Sequence, residues 1–574
     1  MTANRNALIV IAACFLLALG LPWGGVVPQA AAQVTVTGAT PSSAKAGTLG
    51  LSVTITGTGF KSGATAKFYL RGTKDTGGVN VLSTTYRKST TLIAVVDVPA
   101  TAVQGSYDIE VTSGTAAPAT GQARFTVLPK GIDPCGPGSP VLTSSDYRDP
   151  SFAASAGLIA TPKFAGIAGV AIDAQQRIVA VGSRYDSCAG TGTREWVVMR
   201  YTPDGVPDPS FGGTGMVTKS FTRYSASLSA VAIDPSDGSI VVGGVLSGKN
   251  LGLVARYKES GELDTTFAVD GIEPGVRSLS LERYMTSANA IAIQSDGKIV
   301  VAGGDGGVMA VFRLNVDGSF DTTGFNANAV YKPQLPGRYV YTLTPSNGAA
   351  VAIQEVDGEE RIVVAGVAGV MKNGVGVKDA AVWRFTSAGV PDPAFGASGL
   401  VTTDFYGGYE TFNAVAIDSS NRIVAAGYAN KGPDYTYGDA GVVARYEQGG
   451  ALDGSFNGGA ADQPFVAVSG NSQTQSLSAM AIDPAGSIYV AGAAYYKDAG
   501  GATTLSGTAL WRLLPEDGGP DPVFGLAGWV FDRLAVDALY GSWKALALQA
   551  DGNAVVAGSF TWGAVYPAIA RFRQ

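Results

Sequence analysis

The 574-residue sequence contains no histidine. That removes Ser-His-Asp and Cys-His catalysis together with the usual imidazole metal sites. Of three cysteines, Cys14 lies in an apolar leader, leaving Cys135 and Cys188. Two thiols far apart are too few for a cysteine zinc site. No Gly-x-x-x-x-Gly-Lys-Ser/Thr phosphate loop occurs, and no cofactor motif is evident. The nearest approach to a calcium loop is Asn315-Val-Asp317-Gly-Ser319-Phe-Asp321. It occupies an ordinary turn of a repeated unit, so its expected role is structural. A carboxylate pair could hydrolyse glycosides without histidine, but sequence alone does not place two carboxylates face to face. What remains is contact chemistry, and tyrosine supplies it. A tyrosine gives large contact area with few torsions to freeze and a polar tip. Tyr185, Tyr224, Tyr284, Tyr339, Tyr409, Tyr428, Tyr435, Tyr437, Tyr495 and Tyr496, with Asp434 and Asp498, are the candidates for a ligand-binding face. Aromatic rings beside carboxylates suit sugars. The competing expectation is that several of these tyrosines only pack their own loops.

The elements that must position them are repeated hairpins. Ala290-Ile-Ala-Ile-Gln-Ser-Asp-Gly-Lys-Ile-Val-Val-Ala-Gly303 reads as two short apolar strands joined by a tight Asp296-Gly297 turn. The unit occurs seven times, aligned on Ile172, Ile233, Ile293, Ile353, Ile417, Ile482 and Leu548, at spacings of 60 to 66 residues. A third strand ends in Arg200, Arg256, Arg313, Arg384, Arg445, Arg512 or Arg571. Then come an Asp and a Phe, as in Asp208/Phe211 and Asp392/Phe395, and a fourth strand such as Gly399-Leu-Val-Thr-Thr-Asp-Phe405. Four strands per unit and seven units predict an all-β, seven-bladed propeller. A β-solenoid is the rival, but its coils are shorter and less hairpin-like. These motifs resemble the bacterial delta-60 repeat family, in the Asp-Gly hairpin, the Arg-Tyr strand end and the Asp-x-x-Phe-Gly run. Arg256-Tyr257 through Asp264-Thr-Thr-Phe267 is a clean copy. The resemblance covers about Asp146 to the C-terminus and implies a propeller without an agreed activity. One unit departs from it, with an extra Gly324 before Phe325 and an insert from Lys332 to Ser346.

Asp149 and Phe152 open the array with no upstream arginine, while Arg571 has no downstream aspartate. Arginines and aspartates balance only if Asp149 serves Arg571. The segment near 145–162 is therefore expected to join the last unit and close the ring. Seven identical Arg/Asp sets are expected to be scaffold. Antiparallel strands put the Asp-Gly turns and Asp-x-x-Phe runs on one face, nearly identical from unit to unit. The tyrosine-bearing loops fall on the other, where the units disagree.

Ahead of the array, residues 33–128 show their own strand pattern. Leu51-Ser-Val-Thr-Ile-Thr-Gly-Thr-Gly-Phe60 alternates with period two, and Thr91–Pro99, Ser106–Thr112 and Ala123–Leu128 follow. Pro41, Thr54 to Phe60, Val98-Pro99 and Gly105 to Val111 resemble the IPT/TIG family of immunoglobulin-like domains. The resemblance implies a sandwich that serves as spacer or interaction module. Residues 129–144 read as a stiff Pro/Gly linker. Residues 1–32 read as a signal peptide, with Arg5, an apolar run from Ala7 to Leu21 and Ala30-Ala31-Ala32. An uncleaved anchor and a lipidated Cys14 are the alternatives. The mature chain is expected to be secreted, periplasmic or at a bacterial cell surface, with no membrane span after signal removal. There a Cys135–Cys188 disulfide could persist; two unpaired thiols are the alternative. A formal charge of −6 gives no basic footprint for nucleic acid. The expected function is non-catalytic binding of a polysaccharide or surface protein through the variable face. A propeller glycoside hydrolase or lyase using paired carboxylates is the alternative.

Overall fold

The computed structural model describes residues 33–128 and 147–573, less 46–47, 100, 104, 116, 155–156, 161–165, 186–193, 222–223, 280–285, 306, 330–334, 373, 431–438, 458–464, 469–473, 498–502, 526–527, 533–539 and 563. The expected leader, the linker and both mature cysteines lie outside the described residues. Those described fall into two compact units that divide near Phe125. Among them no helix is long and apolar enough to cross a membrane.

The N-terminal unit consists of two four-stranded sheets. One is ordered Thr35–Thr40, Thr48–Thr58, Thr91–Val98, Asn80–Lys88, and the other Ser43–Lys45, Ala119–Leu128, Gly105–Thr112, Thr65–Leu70. Period-two alternation drives them: Leu92, Ala94, Val96 and Val98 are fully buried on one strand while the residues between them are not. Val53, Ile55, Phe68, Ile109 and Phe125 add to the core. The Phe68 and Phe125 rings meet edge-on at 5.0 Å.

The second unit is the seven-bladed propeller expected from the repeats. Each blade is a four-stranded antiparallel sheet, six of them built from four consecutive strands. The first strand of each blade is innermost: Gly166–Ile172, Ala226–Ile233, Thr286–Ile293, Ser346–Val356, Glu410–Ile417, Thr474–Ile482 and Tyr540–Leu548. Each packs on the next, and Tyr540–Leu548 packs back on Gly166–Ile172 to complete the circle. Blade 7 holds Tyr540–Leu548, Ala554–Trp562 and Ala564–Phe572, and its outer strand is Leu158–Ala160. Ala568, Ile569 and Ala570 pair with Ala160, Ile159 and Leu158. The ring thus closes through the segment that the Arg/Asp count singles out.

Every inner strand carries a bulge at the same place, leaving one residue unpaired: Ala168, Ser229, Asn289, Ala349, Asn413, Ser478 and Lys544. Three of these side chains stitch blades together. Ser229 donates to the Ala288 carbonyl at 2.7 Å, Asn289 to Gly348 at 2.8 Å and Asn413 to Leu477 at 2.7 Å.

The recurring Arg, Asp and Phe form a latch. Each arginine pairs with its aspartate, from Arg200–Asp208 at 2.7 Å to Arg512–Asp521 at 2.6 Å. Each guanidinium also lies over the phenylalanine that follows, 4.5 to 5.0 Å from the ring centroid. In blades 1 to 5 the arginine reaches onward to the next blade's turn, as Arg200 does to the Glu259 carbonyl and Arg384 to that of Gln448, both at 2.5 Å. The turn answers with a glycine in the left-handed region. Gly389 has φ +75°, and a Cβ there would lie 2.4 Å from the Phe325 ring of the preceding blade. The turn Asn315–Ser319 is one of these, receiving Arg256 at the Val316 carbonyl. Its Asp317 accepts the N–H and hydroxyl of Ser319. It is scaffold, as its position in the repeat implies.

The hairpin turn differs from the expected tight form. Ile293 pairs with Ile299, and Gln294 and Lys298 close a wider loop through Gln294 N–H to the Lys298 carbonyl at 2.9 Å. Only Gly297, at φ +79°, takes the left-handed conformation. This is the type I turn plus left-handed residue that larger hairpin loops use. The reason is visible in other units, where Gln176 at +63° and Asn421 at +60° fill that single position.

Candidate functional site

The variable face is formed by the loops between the second and third strands of each blade and by the crossings from an outer strand to the next inner strand. Across blades 2 to 5 it holds a cavity of about 680 Å3. Polar groups line it from Ser287 of blade 3, Asn347 and Lys378 of blade 4, and Tyr409, Asn413 and Tyr428 of blade 5. A second cavity of about 390 Å3 lies against Gly376 and Gly408 and shares Lys378 and Tyr409 as its wall. Among the described residues neither lining contains an aspartate or glutamate.

The inner strand of blade 5 positions the aromatic pair. Tyr409 immediately precedes that strand, and its backbone bridges Lys378 on the third strand of blade 4. Tyr428 stands on the neighbouring strand Ile423–Asn430. The two rings stack with centroids 6.0 Å apart and 21° between planes. The Lys378 ammonium sits 5.4 Å from the Tyr409 centroid. That is within cation–π range.

Other candidates fall elsewhere. Tyr224 packs with Phe221 against the core between blades 1 and 2, under the Lys249 ammonium at 5.0 Å. Tyr339 is not in a loop but in the outer strand Arg338–Val340. Its ring meets Phe385 at 4.9 Å, and burial raises its pKa. These two serve blade packing. Tyr185, Tyr495 and Tyr496 end strands whose backbone is described, but their side chains are not. Tyr284, Asp434, Tyr435, Tyr437 and Asp498 lie outside the described residues.

A cluster that the sequence reading missed lies behind the groove. Strand alternation turns Asp379 and Glu410 away from their groove-side neighbours Lys378 and Tyr409. Their carboxylates gather with that of Asp404, all within 4.8 Å of one another. The Lys372 ammonium pairs with Asp379 at 2.7 Å and Asp404 at 2.6 Å. Glu410 is fully buried and accepts the N–H groups of Phe405 and Tyr406, both at 2.7 Å. Burial pushes its pKa up to about 7 against those two bonds, and Asp404 and Asp379 push the same way. Burial likewise raises Asp379, with Lys372 opposing. Glu410 therefore fixes the turn that carries Tyr409, and Lys372 supplies the cluster with positive charge. The sequence signal was slight: an unusually long hairpin from Glu359 to Phe385 and a glutamate at the head of an inner strand.

Residues 177–211, 236–267 and 294–323, in blades 1 to 3, match a family described as a domain of unknown function (DUF5122) beta-propeller. Similar solved structures include the β-propeller domain of the Trilobed protease from Pyrococcus furiosus, at 9% identity over 71% of this chain and 98% of that one, TM-score 0.34. Hydrazine synthase from Kuenenia stuttgartiensis is 12% identical over 68% and 92%, TM-score 0.39. An α-L-arabinofuranosidase from Fusarium graminearum is 11% identical over 65% and 96%, TM-score 0.34. At such identities and scores the likeness says nothing about chemistry. No curated protein sequence matches.

Proposed function

We propose that this is an exported, non-catalytic binding protein whose propeller holds a glycan in the groove of blades 2 to 5. The observation that carries the reading is the stacked Tyr409–Tyr428 pair in a lining whose other polar side chains are amides, hydroxyls and the Lys378 ammonium. Amide and hydroxyl groups match sugar hydroxyls as donors and acceptors, and an aromatic ring offers a face to a sugar's C–H groups. The cavity volume is in the range that holds a small ligand. Export rests on the leader at residues 1–32, and the site of action is secreted, periplasmic or cell-surface. The N-terminal unit serves as a TIG-like spacer; its two small sheets and period-two strands support this. The propeller units are of delta-60 type, which their Asp-Gly, Arg-Tyr and Asp-x-x-Phe motifs support.

The test is a glycan array probed with the secreted protein and with a Tyr409→Ala/Tyr428→Ala variant. The expected result is a set of bound glycans lost by the variant while its melting temperature holds. Binding to a surface protein but to no glycan would overturn the groove reading.

One observation favours a second reading, a glycoside hydrolase or lyase: the Asp379–Asp404–Glu410 cluster stands one residue behind the groove. Against it, Glu410 has no exposed surface and both its oxygens are held by backbone N–H groups, while Asp379 is paired with Lys372. Turnover of a bound glycan that disappears in Glu410→Gln would restore the enzyme reading.

A further inference from the structure

The two cavities and the lysine between them bear on what kind of glycan fits. The chain as a whole is acidic, with 46 Asp and Glu against 40 Lys and Arg. The groove runs against that balance: its described lining holds one ammonium and no carboxylate. Lys74, Lys219, Lys258, Lys298 and Lys372 each have a carboxylate partner. Lys378 has none among the described residues. What holds it is the Tyr409 ring at 5.4 Å, which positions an ammonium without neutralising it. Lys378 is exposed and lines both cavities, so an acidic group carried between them meets it from either side.

We infer that the groove takes an anionic oligosaccharide at least two rings long, with one ring in each cavity and its acidic group set against Lys378. This rests on the glycan reading above and adds charge and length to it. Length follows from the shared wall. A ligand confined to one cavity would leave the other, and half of the Tyr409–Lys378 ridge, unused. Charge follows from the unpaired ammonium, since an ionised acceptor makes the stronger hydrogen bond to it. A uronate carboxylate and a sugar sulfate share this chemistry.

The experiment titrates the full secreted chain with uronate oligosaccharides of increasing length, their methyl-esterified forms, a sulfated oligosaccharide and a neutral one. The expected result is affinity that rises steeply from monomer to trimer, falls on esterification and falls again with added salt. Lys378→Gln should weaken acidic ligands about tenfold or more while keeping the melting temperature, and Lys378→Glu should abolish their binding. The sulfated arm against the uronate arm tells which acid is preferred. Equal binding of neutral and acidic glycans, unmoved by either variant, would overturn the charge assignment and leave the groove reading standing. Monomers binding as tightly as trimers would overturn the length. No binding of any glycan would overturn the groove reading and this inference with it.

Discussion

The Arg571 guanidinium meets the Asp149 carboxylate at 2.6 Å and lies 5.0 Å above the Phe152 ring. Arg571 also donates to the Pro203 carbonyl of blade 1 at 2.7 Å. The two ends of the array thus build between blades 7 and 1 the same latch that successive blades build along the chain. Its aspartate and phenylalanine arrive from the opposite end of the sequence.

Replacing Asp149 with alanine should strip a buried guanidinium of its partner. Breaking a buried pair from one side costs on the order of 3–5 kcal/mol. Neighbouring Arg573, which also touches Asp149 at 3.0 Å, would be released as well. Hydrogen exchange should rise first in Ala564–Phe572 and Leu158–Ala160. Unchanged protection in those strands would mean that closure contributes nothing to blade 7.

Two carboxylates set opposite limits on pH stability. For Asp149, burial works against the charge, but Ser151, Arg573 and Arg571 outweigh it and hold the pKa at about 2. A depressed carboxylate stabilises above its ordinary value near 3.8, and that stability is lost as pH falls toward about 2. Glu410 has the reverse sign. Its pKa is raised from 4.5 to about 7, so its contribution is fully present below 4.5 and lost as pH rises through about 7. Thermal melts across pH should peak in the mildly acidic range. Glu410→Gln should flatten only the neutral arm; a variant that still loses stability between pH 5 and 8 would refute the assignment.

Gly389→Ala should be costly for two reasons at once: φ is +75°, and the new Cβ meets the Phe325 ring at 2.4 Å. We expect a loss of about 2 kcal/mol or more in chemical denaturation. Gly374, also at φ +80° but with nothing within 4 Å of a Cβ, isolates the backbone part of that cost. Gly374→Ala should therefore be the milder change; equal losses would show that the interblade contact is unimportant.

Lys372→Met should leave Asp379, Asp404 and Glu410 without their cation. The buried Asp379 then favours its protonated form more strongly. The variant should be destabilised at pH 8 and recover at pH 5, read by melting temperature. Equal losses at both values would show that Lys372 acts by packing its stem.

The ring was legible because its signals repeat. Seven copies of one turn, one arginine and one Asp-then-Phe run average out local noise, and the unmatched Asp149 and Arg571 point to each other. The groove was legible only in part. Tyr409 and Tyr428 stand out by residue type, but so do Tyr224 and Tyr339, which the fold uses for packing. Loop tyrosines look alike in sequence because the same ring can cover a core or face solvent. The Lys372–Asp379–Asp404–Glu410 group was barely legible. It joins two blades and depends on which side of a strand each residue takes, and it occurs once, with no repeat to reveal it.

The outer strand Leu158–Ala160 has a consequence for force. Tyr147, ahead of that strand, packs against the core between blades 6 and 7. Arg148 pairs there with the buried Asp532, and Asp149 pairs with Arg571. Both ion pairs stand upstream of the three-residue clasp. Tension on a tether at this end would therefore load two buried ion pairs before it reached the short strand. Those pairs hold the segment ahead of the clasp to the outer strand Trp529–Asp532 and to Ala564–Phe572.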